Sequence, residues 1–205
     1  MTVHYDERAL DALRELASIG SGTAATALSQ MLGRPVELAV PRALALGLAD
    51  ALDAVGEPDA MVASVVMPVG GDADLVVLLL FSNGCAATLC ELLGVEPRSE
   101  LGDSALGEIG NILGAAAVGA LATMTGLALE PRPPHVVYDM LGAIVASVLT
   151  ASAGELDVAL MMDADLAVEG AACGLSFLLL PTDAGVAELL ARLGLDATDP
   201  VPPTQ

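Results

Sequence analysis

The chain has 205 residues, 55% of them hydrophobic, which is enough for one large domain or two small ones with a substantial core. Its 27 acidic residues outnumber seven basic residues, all arginine, and give a formal net charge of −20. This charge repels nucleic acids and anionic membranes, which excludes both as expected partners and favours a protein or an uncharged partner.

The N-terminal sequence MTVHYDERALDALRE contains no basic segment followed by an apolar run. We therefore expect no signal peptide and a cytoplasmic location. The three cysteines, Cys85, Cys90 and Cys173, do not have metal-ligand spacing and lie apart from both histidines in the sequence. They are predicted to be small buried thiols, and no metal site is expected.

Two long helices are predicted from segments that repeat. Residues 11–41 and 104–134 align at an offset of 93 positions, with many identical residues in register. A polar residue suited to helix N-capping precedes each segment, Asp6 in the first and Ser99 in the second. The sequence therefore predicts two equivalent helices at the start of two repeated halves.

After its long helix, each half continues with the same three kinds of element. A short apolar segment predicts a second helix, and two apolar runs around a Gly-containing turn predict a hairpin. An amphipathic segment that ends in glycine predicts a closing helix. These segments are 43–56, 60–81 and 83–94 in the first half, and 140–154, 156–180 and 183–194 in the second.

Together these features predict an α+β fold with an internal duplication. The halves are expected at about residues 6–96 and 99–196 of a single domain, residues 1–198, because only a short junction separates them. We expect pseudo-two-fold symmetry, with strands of both halves in a shared β-sheet, two long motif-bearing helices and several shorter helices. Residues 199–205 are predicted to be a disordered tail.

Polar residues interrupt the second apolar helix at a regular spacing. Ser104, Glu108 and Asn111 lie at positions i, i+4 and i+7, so they share one helix face over two turns. Pro134 follows Asn111 by 23 positions. Because an apolar helix does not need a carboxylate and an amide there, the face that they define is a candidate functional site.

The first half repeats this spacing with one difference. Asp11, Glu15 and Ser18 occupy the same steps, and Pro41 lies 23 positions beyond Ser18. Ser18 stands where the second half has Asn111. For either half alone, a solvated polar stripe with local capping or turn residues would explain these side chains. The matched spacing in both halves favours a functional motif.

The pattern [Asp/Ser]-x3-Glu-x2-Asn-x22-Pro resembles the signature of the CheC/CheX/FliY phosphatases of bacterial and archaeal chemotaxis. The resemblance extends over about residues 6–196, and the duplication is similar to the two-site arrangement of CheC. It implies that the chain hydrolyses the aspartyl phosphate of a CheY-type response regulator. It also implies no cofactor of the chain's own, because the Mg²⁺ that neutralises the phosphoryl group belongs to the regulator's site.

The resemblance implies a role for each motif residue. Asn111 would enter the regulator's active site, where its amide can orient the attacking water, and Glu108 would pair with a lysine of the regulator. Glu15 and Ser18 would be the catalytic residues of a first site, which the shorter serine either weakens or limits to binding. We expect both glutamates to be exposed in one outer layer. The residues that support the motif are Asp11, Pro41, Ser104 and Pro134.

The two prolines of the motif predict a structural role. Proline fixes its own backbone angle and cannot donate a ladder hydrogen bond, so it is tolerated mainly at strand edges and bulges. We expect Pro41 and Pro134 each to fix the backbone where the helical region ends, near a strand edge.

Two other classes of function remain open. One is an adaptor without useful turnover that binds the response regulator or the receptor deamidase CheD, as members of the CheC group do; phosphate release would distinguish it from a phosphatase. The other is a membrane protein, because residues 109–129 are uncharged over a length that spans a bilayer. That stretch is rich in Ala and Gly and is flanked by Glu108 and Glu130, so a buried helix of a soluble protein explains it better.

Overall fold

A computed structural model describes residues 7–151, 158–168, 171–181, 189 and 191–193. Within these residues, helices alternate with the strands of a β-sheet. The helices are α1 (Glu7–Leu32), α2 (Leu48–Val55), α3 (Asn83–Leu92), α4 (Glu100–Thr125) and α5 (Leu141–Ala151). The strands are β1 (Val36–Gly47), β2 (Met61–Gly71), β3 (Leu75–Ser82), β4 (Leu129–Pro131), β5 (His135–Met140), β6 (Val158–Val168) and β7 (Ala171–Pro181).

The strands pair antiparallel in one sheet of order β1-β6-β7-β3-β2, and β4 and β5 both pair with the outer edge of β2. The order is symmetric with respect to the two halves. In the repeat, β1 corresponds to β4 and β5, β2 to β6, and β3 to β7, so exchanging the halves gives the same order read from the opposite edge. The first strand of each half pairs with the hairpin of the other half. The predicted α+β fold with a shared sheet is therefore confirmed.

The bounds of the elements repeat at the offset found in the sequence. α1 and α4 differ by 93 positions at both ends, and so do β1 and the segment formed by β4 and β5. β2 and β6 differ by 97 positions at both ends. The offset grows because the second half has four more residues than the first between these strands, and α5, with 11 residues, is longer than α2, with 8.

The sheet separates two layers of helices. Along β3, Val77 and Leu79 belong to the core formed with α1, α3 and α4, whereas Leu78 and Leu80 belong to the core formed with α2 and α5. This alternation is the normal period of a strand that is covered on both faces. The two long helices consequently lie in the same layer.

Glycines allow α4 to approach the sheet closely. A Cβ built on Gly110 would lie only 2.5 Å from Cγ1 of Val65 in β2, and a Cβ on Gly114 would clash in the same way with Met67. The side chains of β2 thus fill notches in the helix surface, as dense interior packing requires. This packing explains why the sequence of α4 is rich in small residues.

The hairpin and capping predictions are confirmed in the described residues. β2 with β3 and β6 with β7 are antiparallel neighbours. Ser99 caps α4, because its Oγ accepts a hydrogen bond from the Gly102 N–H at 3.0 Å. Gly94 adopts a left-handed φ of +70° just beyond α3. The predicted cap at Asp6, the final glycine of the second closing helix (Gly194) and the tail 199–205 lie outside the described residues.

One predicted helix was wrong at its start. Residues 43–47, expected to be helical, continue β1 and pair with β6, with Gly47 opposite Val158. The helix α2 begins only at Leu48. An apolar run of this length suits either structure, and here the pairing with β6 decides it. The edge strands β1, β4 and β5 were not predicted, because each pairs with a strand of the other half of the chain.

The three cysteines, Cys85, Cys90 and Cys173, are buried and free, as predicted. The Cys173 thiol lies 3.8 Å from the Cys85 carbonyl oxygen. A side-chain hydrogen bond between the Cys173 and Cys85 thiols, together with burial, raises the pKa of the Cys85 thiol. These thiols are therefore packed as small apolar groups.

The helix α4 is long and apolar enough to cross a membrane if only its length and composition are considered. In the fold, half of its most apolar window is buried, and its residues belong to the core with α1 and the sheet. This burial favours a core helix over a membrane span.

We predict opposite effects for two glycines of α4. Gly110→Ala should destabilise the protein by about 1–3 kcal/mol, because the added methyl group overlaps Val65. Gly119→Ala is the matched control: its Cβ would meet no atom within 4 Å. It should stabilise the helix by about 0.5–1 kcal/mol. Denaturant unfolding of both variants measures the difference, and a loss of equal size in both would contradict the notch packing.

Candidate functional site

Contacts along one side of α4 fix this helix over β5 and β2. The Tyr138 hydroxyl of β5 donates a hydrogen bond to Asp103 Oδ1 at 3.0 Å. One turn later, a Cβ on Gly107 would lie 3.6 Å from Val136 Cγ2, and the notch at Gly110 follows. These contacts determine which side of α4 faces the sheet and which side faces solvent.

The motif residues of the second half lie on the outer side of α4. Ser104 and Glu108 are exposed, and Asn111 is half-buried. Their neighbours Leu106 and Ile109 are fully buried. The helix therefore presents a short polar face, two turns long, on its outer side.

The polar groups of Glu108 and Asn111 are left without partners. Within the described residues, neither side chain makes a hydrogen bond or an ion pair. By contrast, the half-buried side chains Asp103 and Tyr138 are paired with one another. An amide offers two donors and one acceptor, so Asn111 retains its full hydrogen-bonding capacity for a molecule that binds this face.

The first motif lies on α1, in the same layer of helices. Glu15 and Ser18 are exposed. With Glu108 also exposed, the expectation that both glutamates face solvent in one outer layer is confirmed. Asp11 belongs to α1, but its side chain lies outside the described residues.

The contact between the two motif helices is apolar. A Cβ on Gly20 of α1 would lie 3.5 Å from Cα of Ala117 in α4. A cavity of about 40 Å³ between these helices and the sheet is lined mainly by apolar side chains, including Leu16 and Leu113, and by none of the motif residues. The two motifs therefore do not share a cleft, and each is a separate surface site.

The two prolines of the motif lie along the outer edges of the sheet, not where the helical region ends. Pro41 falls at the register shift of β1 between Ala39 and Arg42. Pro134 falls in the gap between β4 and β5. The expectation of a position near a strand edge is confirmed, and the expectation of a helix end is wrong, because β1 starts four residues after α1 ends and runs through Pro41.

A cluster beside the second motif was missed by the sequence analysis. The Arg98 guanidinium lies 5.0 Å above the ring of Tyr138 and donates a hydrogen bond to Asn83 Oδ1 at 3.2 Å. Partial burial and the hydrogen bond to Asp103 raise the pKa of Tyr138 to about 12, so its hydroxyl stays protonated at neutral pH. The sequence signal was weak, since only the scarcity of tyrosine distinguishes Tyr138.

A larger cavity lies on the opposite face of the sheet. Its volume is about 720 Å³, and β2, β3, β5 and α5 form its walls, with Arg132 and His135 among the lining residues. None of the motif residues lines it. Its position beneath α5 separates it from the layer that carries the polar faces.

Two comparisons concern the sequence. The model of the CheC-like family matches residues 9–44 and 101–138, and each segment contains all four positions of one motif. The CheY-P phosphatase CheC of Bacillus subtilis (strain 168) is 35% identical over 149 residues, which cover 68% of this chain and 71% of that protein.

The comparison with solved structures concerns the fold alone. The structure of Thermotoga maritima FliY matches with a TM-score of 0.72 at 17% identity, covering 92% of this chain and 96% of that one. FliM from H. pylori, solved as a FliM–SpeE complex, matches with a TM-score of 0.68 at 12% identity, covering 93% and 97%. The described fold is therefore shared with FliY and FliM.

Proposed function

The chain belongs to the CheC-like family, and from this premise we propose that it hydrolyses the aspartyl phosphate of a CheY-type response regulator. The observation that carries the proposal is the pair of Glu108 and Asn111 on the outer side of α4, both without partners in the described chain. A related protein of this family is named a CheY-P phosphatase, which supports the substrate class.

The chemistry requires little from the phosphatase beyond positioning. Hydrolysis of an acyl phosphate proceeds by in-line attack of water on phosphorus, so the catalyst must hold the water and stabilise charge. The Asn111 side chain can accept a hydrogen bond from water and donate another to the phosphoryl group, and it does not titrate. We assign Asn111 the role of orienting the attacking water.

Glu108 is suited to docking. Its exposed carboxylate lies one turn before Asn111 on the same face, so a lysine of the regulator that pairs with it would bring the phosphorylated site to the amide. Such a pair also sets the orientation of approach. The Mg²⁺ that neutralises the phosphoryl group would belong to the regulator, and the reaction would take place in the cytoplasm, where such regulators act.

The first site has the same docking residue but a different second residue. Glu15 is exposed as Glu108 is, whereas Ser18 offers a shorter hydroxyl that lacks the planar donor and acceptor of an amide. We propose that the second site performs most of the hydrolysis and that the first site contributes weak turnover or binding.

An adaptor function is the alternative. An adaptor would bind the regulator or CheD through the same exposed faces and leave the lifetime of the phosphoryl group unchanged. The fold alone does not distinguish a phosphatase from an adaptor, because proteins as different in sequence as FliM and FliY have the same fold as this chain. Phosphate release from a phosphorylated regulator separates them directly.

We predict that Asn111→Ala lowers the rate of regulator dephosphorylation by a factor of about 100 to 1000, because it removes a positioning group of the transition state. Binding of the regulator and the melting temperature should change little, since Asn111 makes no hydrogen bond or ion pair within the described chain. The decay of phosphorylated regulator at matched protein concentration measures the effect. Gln30→Ala is the control, because it removes an exposed side-chain amide from the other long helix, α1, outside the motif.

We predict that Glu108→Ala raises the KM for the phosphorylated regulator more than tenfold, because it removes the docking charge. Glu100→Ala removes an exposed carboxylate from the same helix two turns earlier, and it should leave KM nearly unchanged. Equal effects of the two variants would mean that Glu108 acts only through the general negative charge.

We predict that Ser18→Asn raises turnover, up to about twofold if the first site becomes equivalent to the second, because it restores the amide at the matching position. The informative background is Asn111→Ala, in which any restored activity must come from the first site. Ser18→Ala should matter little in the otherwise unchanged protein. Recovery of activity in the double variant would establish two independent sites, and a dead Ser18→Ala variant would reverse their assignment.

A further inference from the structure

We propose that Tyr138, Asp103 and Arg98 form a clamp that positions the Glu108–Asn111 face for reaction with the regulator. The clamp residues are positioning residues and do not contact the substrate themselves. The inference rests on the proposed function and adds to it three residues that lie outside the motif.

The clamp joins four elements at the start of α4. Tyr138 of β5 donates its hydrogen bond to Asp103 in the first turn of the helix at 3.0 Å. Arg98, in the loop before α4, lies 5.0 Å above the same ring and donates to Asn83 at the start of α3. The Asn83 amide in turn donates to the Met61 carbonyl oxygen at the start of β2, at 3.1 Å.

The backbone of Arg98 shows that this loop is held in an unfavourable conformation. Its φ of +59° is the only positive φ at a non-glycine among the described residues. Residues other than glycine adopt this region at a cost, so the surrounding contacts must stabilise it. The ring of Tyr138 and the Asn83 oxygen are the partners that receive the guanidinium in this conformation.

The clamp and the glycine notches hold the motif from its two ends. Asp103 lies five residues before Glu108, and the notches at Gly110 and Gly114 flank Asn111. Between them, even a Cβ built on Gly107 would meet Val136 only at ordinary van der Waals distance. The notches and the directional hydrogen bond therefore hold α4 on both sides of the motif, so loss of the hydrogen bond would let the helix shift at Asn111. A shift of about 1 Å at such a face can cost about a hundredfold in rate.

The first half lacks the clamp. At the offset of 93 positions, Leu10 stands where the second half has Asp103, and Ala45 stands where it has Tyr138. The half that carries Asn111 is thus also the half that carries the clamp.

The test measures kcat and KM for dephosphorylation of the regulator by Tyr138→Phe, Asp103→Ala and the double variant. Each single variant should lower kcat about 10-fold to 100-fold with less than a twofold change in KM, and the double variant should be no slower than either single one. Asp103→Asn keeps an oxygen that can accept the tyrosine hydrogen bond, and it should retain most of the activity.

The control for stability is Ser64→Ala. The Ser64 hydroxyl is buried in β2 and donates a hydrogen bond to the carbonyl oxygen of Val137, the neighbour of Tyr138 in β5, at 3.2 Å. This variant removes a hydrogen bond to the same strand without touching α4, and it should keep normal kcat. If Tyr138→Phe and Ser64→Ala have the same kcat, the clamp has no positioning role.

A failure of the clamp is distinguishable from a failure of the proposed function. If the unchanged protein does not hydrolyse the phosphorylated regulator, the proposed function is wrong. If it does, and Asn111→Ala is inactive while Tyr138→Phe is fully active, only the clamp is wrong. Hydrogen exchange of the backbone amides of residues 104–111 tests the clamp without a measurement of turnover. These amides should exchange faster in Tyr138→Phe than in Ser64→Ala, and equal rates in the two variants would overturn the proposal.

Discussion

The close approach of α4 to β2 is the constraint on which the rest of the structure depends. Gly110 and Gly114 allow Val65 and Met67 to enter the helix surface, so this side of α4 is committed to the sheet. The exposed motif residues Ser104 and Glu108 form a polar face on the outer side of the helix. The small residues that make α4 resemble a membrane segment are the same ones that fix the orientation of this face.

The second constraint is the exchange of first strands between the halves. β1 pairs with β6 and β5 pairs with β2, so neither half completes its sheet alone. This exchange places α1 and α4 in one layer and gives each half a polar face on the same side of the molecule. The duplication therefore provides two surfaces of similar geometry, and the chemical difference between Ser18 and Asn111 distinguishes them.

Much of this architecture could be predicted from the sequence, because its signals are local or periodic. The repeat of long helices, the two hairpins and the Ser99 cap follow from spacing and turn residues, and so does the exposure of Glu15 and Glu108. The edge strands could not be predicted, since residues 43–47 are apolar without a clear period and their structure depends on pairing with β6. Tyr138 and Asp103 are 35 positions apart, so no local pattern links them.

The prolines of the edge strands have a consequence for self-association. An exposed outer strand offers unpaired amide and carbonyl groups on which another chain can add a strand, and this is a common start of aggregation. One outer edge of this sheet contains Pro41 at a bulge, and the other is interrupted between β4 and β5 at the sequence Pro131-Arg-Pro-Pro134. Proline has no amide hydrogen to donate, so both edges are poor templates for a further strand. The sheet formed by the seven described strands thus ends on both sides in an edge that resists the addition of a strand from another molecule.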